Sequence, residues 1–103
     1  MTMNFPDGVQ VAKNKMLRGQ LLRTIALFYP APISLKNLKT SLMAKGMNME
    51  ADVAKVITYL QDKGYIRVTQ GCIHGFEDDD TVELTAMGVD LIEGTIEDPG
   101  VDI

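Results

Sequence analysis

The spacing of apolar side chains along the chain predicts a short series of helices and strands. Over residues 12–29, AKNKMLRGQLLRTIALFY, the positions Leu17, Leu21, Thr24, Ile25 and Phe28 recur on one helical face. Lys15, Arg18 and Arg23 lie on the flanks of that face. Leu22, Ala26 and Tyr29 form a second, narrower apolar stripe, read either as more core contact or as a surface for self-association. Pro30-Ala31-Pro32 ends the helix, because neither proline donates a backbone N–H and each drives its predecessor out of the α region. Ile33 then suits a very short strand.

Ser34 can cap a second helix, LKNLKTSLMAK, whose buried stripe is Leu35, Leu38 and Leu42 and whose stop is Gly46. Asn48 can cap a third, running to about Lys63, with Glu50 and Asp52 at the positive end of its dipole. Val53, Val56, Ile57 and Leu60 follow the i, i+3, i+4, i+7 pattern and face the core, and Gly64 is the stop. Two helices joined by a short turn containing Gly make a helix-turn-helix. The period then changes from 3.6 to 2. Residues 65–70, YIRVTQ, and 81–84, TVEL, read as two strands of a hairpin. Thr85 caps a last helix with Val89 and Ile92 inward and Gly94 as stop. Gly88 inside it is unfavourable for a helix, which close packing against a neighbour would explain.

These elements divide the chain into an N-terminal arm at 1–11, one folded domain at 12–94 and an acidic tail at 95–103. The tail is expected to be mobile unless Ile96, Val101 or Ile103 docks. With 103 residues the chain has room for one core. No apolar run is long enough to span a membrane, residues 1–15 lack the apolar stretch of a secretory signal, and a single cysteine forms no internal disulfide. The expected setting is the cytoplasm.

Two phrases carry a family resemblance. Leu60-Gln61-Asp62-Lys63-Gly64-Tyr65-Ile66 resembles the L-x-x-x-G-Y/L-I end of the third helix in bacterial winged-helix regulators. Residues Leu84 to Glu93, LTAMGVDLIE, are similar to the L-T-x-x-G-x-x-L-L-E phrase after the wing in the PadR and MarR families. With the helix-turn-helix they span residues 12–94. The compact form also looks like small prophage-encoded winged-helix proteins. The resemblance implies an α+β winged helix-turn-helix: a three-helix core, a two-stranded wing hairpin and a C-terminal helix. It further implies a non-enzymatic transcriptional regulator, repressor-like, that binds double-stranded DNA as a homodimer without a cofactor.

The net charge of −4 hides a division: residues 1–70 hold ten bases and four acids, net +6, and residues 71–103 hold ten acids and no base, net −10. With its apolar stripe buried, the third helix would present Asn48, Ala51, Lys55, Thr58 and, at the margin, Tyr59, side chains suited to base edges in the major groove. Lys15, Arg18, Lys36 and Lys39 are candidates for phosphates, which fix register. Glu50, Asp52 and Asp62 on the third helix count against DNA. They leave open an alternative, a protein-interaction module whose acidic wing and tail bind a basic partner. Leu22, Ala26 and Tyr29 are the candidate dimer contacts, with the last helix and tail.

The stretch GCIHGFEDDD holds Cys72, His74 and the carboxylates Glu77, Asp78, Asp79 and Asp80. One sulfur and one imidazole fall short of a zinc tetrahedron, EDDD lacks the alternation of a calcium loop, and Cys72 has no paired base for nucleophilic catalysis. The reading is a solvated acidic wing tip, without metal, that points away from a duplex or meets a basic partner.

Overall fold

A computed structural model of the chain describes residues 8–44, 50–69 and 77–103. Its elements are α1 (Gly8–Ala26), β1 (Ile33–Ser34), α2 (Leu35–Ala44), α3 (Glu50–Asp62), β2 (Ile66–Thr69), β3 (Thr81–Leu84) and α4 (Ala86–Ile92). The three strands form one antiparallel sheet in the order β1-β3-β2. Val82 stands opposite Ile33 on one side and Val68 on the other. Among the described residues the protein is α+β, with four helices and a small three-stranded sheet, an arrangement compatible with a winged helix. No helix among the described residues is long and apolar enough to cross a membrane.

The core lies where the helices meet one face of the sheet. α2 contributes Leu35, Leu38 and Leu42, and α3 contributes Val53, Val56, Ile57 and Leu60, the stripes that the periodicity identifies. Ile33, Ile66, Val82 and Leu84 come from the strands. Ser34 accepts from Asn37 N at 3.1 Å and so caps α2. Thr85 accepts from Gly88 N at 3.1 Å and donates to Gly64 O at 2.6 Å, which caps α4 and ties it to the end of α3. Gly64 and Gly94 take positive φ just beyond the ends of α3 and α4. The Asn48 cap, the Gly46 stop and the Pro6-Asp7 part of the arm lie outside the described residues.

Three readings need correction. Residues 8–11 belong to α1 and not to a loose arm. Leu22 is fully buried, whereas Phe28 remains 44% exposed. The helix ends at Ala26, before the turn toward Pro30, so Phe28 never continues the core face. On α4, Val89 and Ile92 do pack against the core, as the spacing predicts, with Leu91 deeper still. Last, residues 95–103 are not a separate appendage. Val101 is buried in the core, Asp102 N donates to Lys15 O at 3.1 Å, and Ile96 packs against the core edge. Gly19 permits this return, because a Cβ there would collide with the Asp102 carbonyl.

Gly88 plays the same part for α4. A Cβ at this position would overlap Tyr65 O and the Leu84 side chain. Two effects oppose each other in Gly88→Ala: helix propensity favours Ala by about 1 kcal/mol, and overpacking costs about 1–3 kcal/mol. Because the nearest obstacle is backbone, overpacking wins. Gly88→Ala therefore lowers the free energy of unfolding by about 1–2 kcal/mol, read from the urea midpoint, while Ala at the open position Gly8 does not lower it.

Candidate nucleic-acid interface

Burial of one side of α3 determines what its other side offers. Opposite Val53, Val56, Ile57 and Leu60 stand the exposed Ala54, Lys55, Thr58, Gln61 and Asp62. Thr58 Oγ1 donates to Ala54 O at 3.0 Å, so its hydroxyl proton is used within the helix and its methyl and oxygen lone pairs face outward. Lys55 borders a shallow hollow of about 110 Å³ with Asn14, Leu17, Arg18 and Val56, which places it at the seam of α3 and α1. Asn48 lies outside the described residues, and so do the side chains of Glu50, Ala51 and Asp52.

Two residues assigned to DNA are used elsewhere. The Arg18 guanidinium stacks on the Tyr59 ring, 3.8 Å from its centroid, and donates to Gly100 O at 3.0 Å. Gly100 packs against the Tyr59 hydroxyl so closely that a Cβ would meet it. Together they clamp the C-terminal segment to α1 and α3. Tyr59 and Arg18 are both half-buried in this contact, so each already has partners within the chain.

Asp98 completes the clamp. Its side chain, 9% exposed, accepts from Tyr65 OH at 2.6 Å and Gly100 N at 2.8 Å and meets Lys63 Nζ at 3.2 Å. The Tyr65 hydrogen bond, with help from Gly100 and Lys63, outweighs burial and holds the carboxyl below its ordinary value. Burial, then the Asp98 hydrogen bond and charge, push the Tyr65 phenol up to about 12. The sequence hinted at this cluster only in Asp98-Pro99-Gly100, a turn signal with a carboxylate at its first position.

The acidic run is folded back onto the protein. Leu35 N donates to Asp80 O at 2.9 Å and Lys36 N to Asp78 O at 3.2 Å, which joins the run to the start of α2. Asp80 is only 3% exposed, and its carboxylate accepts from Glu77 N at 2.8 Å in a local turn. Asp78 reaches Lys39 Nζ at 3.3 Å. Glu77, Asp78 and Asp79 are exposed, and of these Asp78 is tied to α2 through both its carbonyl and its carboxylate. Lys39 therefore faces a carboxylate, while Lys36 is exposed and Lys15 half-buried. Cys72 and His74 lie outside the described residues. Among the described residues, no group of three or more His, Cys, Asp or Glu could hold a metal ion.

Of the dimer candidates, Leu22 is excluded by complete burial and Ala26 packs half-buried at the core edge. Tyr29 is 49% exposed, beside Leu27 and Phe28. No family model, curated protein or solved structure matches the chain.

The Asp98 cluster gives a signed pH dependence. Because its folded-state pKa is lowered, the stability it supplies is complete above its unfolded value of about 3.8 and is lost as pH falls through the lower folded value. Urea midpoints measured against pH should therefore fall steeply in that acid window for the native chain. Asp98→Asn flattens this part of the profile and, at neutral pH, costs about 1–3 kcal/mol through weakened bonds to Tyr65, Gly100 and Lys63.

Proposed function

We propose that the chain is a winged helix that binds double-stranded DNA through α3 in the major groove and regulates transcription. The observation that carries this reading is the two-sidedness of α3. Its apolar stripe is sealed in the core, and Lys55 and Thr58 are exposed on the other side with small or polar neighbours. Such a face allows close approach to base edges, where Lys donates to guanine and a Thr methyl meets thymine. Lys36 at the start of α2 and Lys13 on α1 are exposed cations that can meet phosphates without first breaking the Arg18–Tyr59 or Lys39–Asp78 contacts.

A second reading is favoured by a different observation. Lys39, Lys63 and Arg67 each sit in an ion pair with Asp78, Asp98 and Glu83. That leaves less positive surface for a polyanion and suits a winged helix that binds a basic protein partner instead.

Salt dependence separates the two. Phosphate contact releases counterions, so DNA affinity should fall as a power of salt concentration. Binding to a random-sequence duplex pool at low salt, followed by selection of the preferred site, is expected to give such a slope. Lys55→Ala should then cost about 1–3 kcal/mol on the selected site with no change in thermal stability, since Lys55 is exposed. No duplex binding at low salt, or binding indifferent to salt, overturns the DNA reading.

A further inference from the structure

One concavity of the molecule is built by a single run of chain. α4 reaches Ile92, the backbone turns at Gly94 with positive φ, and the segment beyond it comes back along α1. The groove between them, about 530 Å³, is lined only by residues between Leu91 and Ile103. Backbone bonds fix its walls. Thr95 N donates to Asp90 O at 2.8 Å, Val101 N to Asp98 O at 3.1 Å and Asp102 N to Lys15 O at 3.1 Å. Arg18 adds its bond to Gly100 O from α1. A groove held in this way exists before a partner arrives, which lowers the cost of binding.

Its chemistry combines two characters. Ile92, Ile96 and Val101 give an apolar floor, and Ile103, 45% exposed, extends it toward solvent. Glu93, Glu97 and Asp102 are exposed at the edge, and no base lines the groove. Three other acids of this third of the chain are compensated, Asp78 by Lys39, Glu83 by Arg67 and Asp98 by Lys63. Among the described residues Glu93 and Glu97 have no ion-pair partner, whereas Asp102 also borders Arg23 in a second, smaller hollow. Part of the negative charge that the fold leaves uncancelled is thus gathered around an apolar hollow.

Charge and lining together select the occupant. A small ligand needs a few polar groups aimed at it from the wall, yet among the described residues every buried side-chain nitrogen or oxygen already has a partner. No strand lines the groove, so a partner cannot dock there by backbone pairing. An amphipathic helix satisfies its own backbone, offers an apolar stripe to the floor and can carry lysine or arginine beside that stripe. We propose that the groove between α4 and the C-terminal segment receives a basic amphipathic helix of another protein. The apolar stripe of that helix covers Ile92, Ile96 and Ile103, and its cations meet Glu93 and Glu97. This rests on the basic-partner reading and gives it a site. It is independent of duplex binding, since no residue of α3 lines the groove.

Fluorescence anisotropy tests the proposal, with the full chain titrated into a dye-labelled helical peptide of leucine and lysine that confines leucine to one face. The peptide is expected to bind with a Kd below about 1 mM, and rising salt should weaken it. Glutamate in place of its lysines should abolish binding, and alanine in place of its leucines should weaken it by about tenfold or more. Glu93→Lys with Glu97→Lys should cost at least about tenfold, and Ile103→Glu should weaken binding as well. All three positions are exposed, so circular dichroism of these variants should match the native chain. Glu77→Lys with Asp79→Lys, at exposed acids outside the groove, should leave the affinity within about twofold. A loss there equal to that at Glu93 and Glu97 overturns the groove and leaves the basic-partner reading standing as a general attraction to negative charge. Equal binding of the leucine–glutamate peptide overturns the groove's selection for a basic helix. No binding of the lysine peptide by the native chain overturns the groove and the basic-partner reading together.

Discussion

Val53, Val56, Ile57 and Leu60 leave water together when α3 lies against α1 and β2, and this shared burial fixes the orientation of the helix. Each such side chain contributes about 1.5–3 kcal/mol when fully buried, so turning α3 by even a quarter-turn would expose more than any surface contact could recover. The outward direction of Lys55 and Thr58 follows from this. Among the described residues neither has an ion-pair partner; they are exposed because the opposite side of the helix is buried. The candidate reading face is therefore a by-product of core packing, and substitutions on it should affect binding without affecting stability.

The elements legible in the sequence are those whose signals are local. Ser34 and Thr85 as caps, Gly64 and Gly94 as stops, and the stripes of α2 and α3 each depend on a window of a few residues. The misreadings depend on contacts between distant parts of the chain. Leu22 and Phe28 are both apolar and both fit some helical face; only the position where α1 stops, set by the approach to Pro30, decides between them. Arg18 and Tyr59 look like surface groups until the C-terminal segment returns to cover them, and that return depends on Gly19, more than 80 residues earlier in the chain. A glycine in a helix reads as a weakness from sequence alone. Here it marks where another backbone passes.

Charge was legible as a division of the chain and not as a division of the surface. Among the described residues, ion pairs join the acidic third to the basic two-thirds at Asp78 with Lys39, Asp98 with Lys63 and Glu83 with Arg67. The exposed pairs contribute little to stability. Their larger effect is on the field, since each cancels a cation that the sequence appeared to reserve for a polyanion. The pair at Asp98 differs, because burial and two further hydrogen bonds turn it into a structural joint.

That joint links the end of α3 to the groove bounded by α4 and the C-terminal segment. The segment from Asp98 to Asp102 holds Tyr59 of α3 and Lys63 just beyond its end with one side, through Gly100 and Asp98, and lines the acidic groove with the other. Arg18 crosses between them from α1. The far end of α3 is thus braced by a short segment held through the Arg18–Gly100, Asp98–Tyr65 and Asp98–Lys63 contacts, so the orientation of the candidate reading face depends on the C-terminal return as well as on the core.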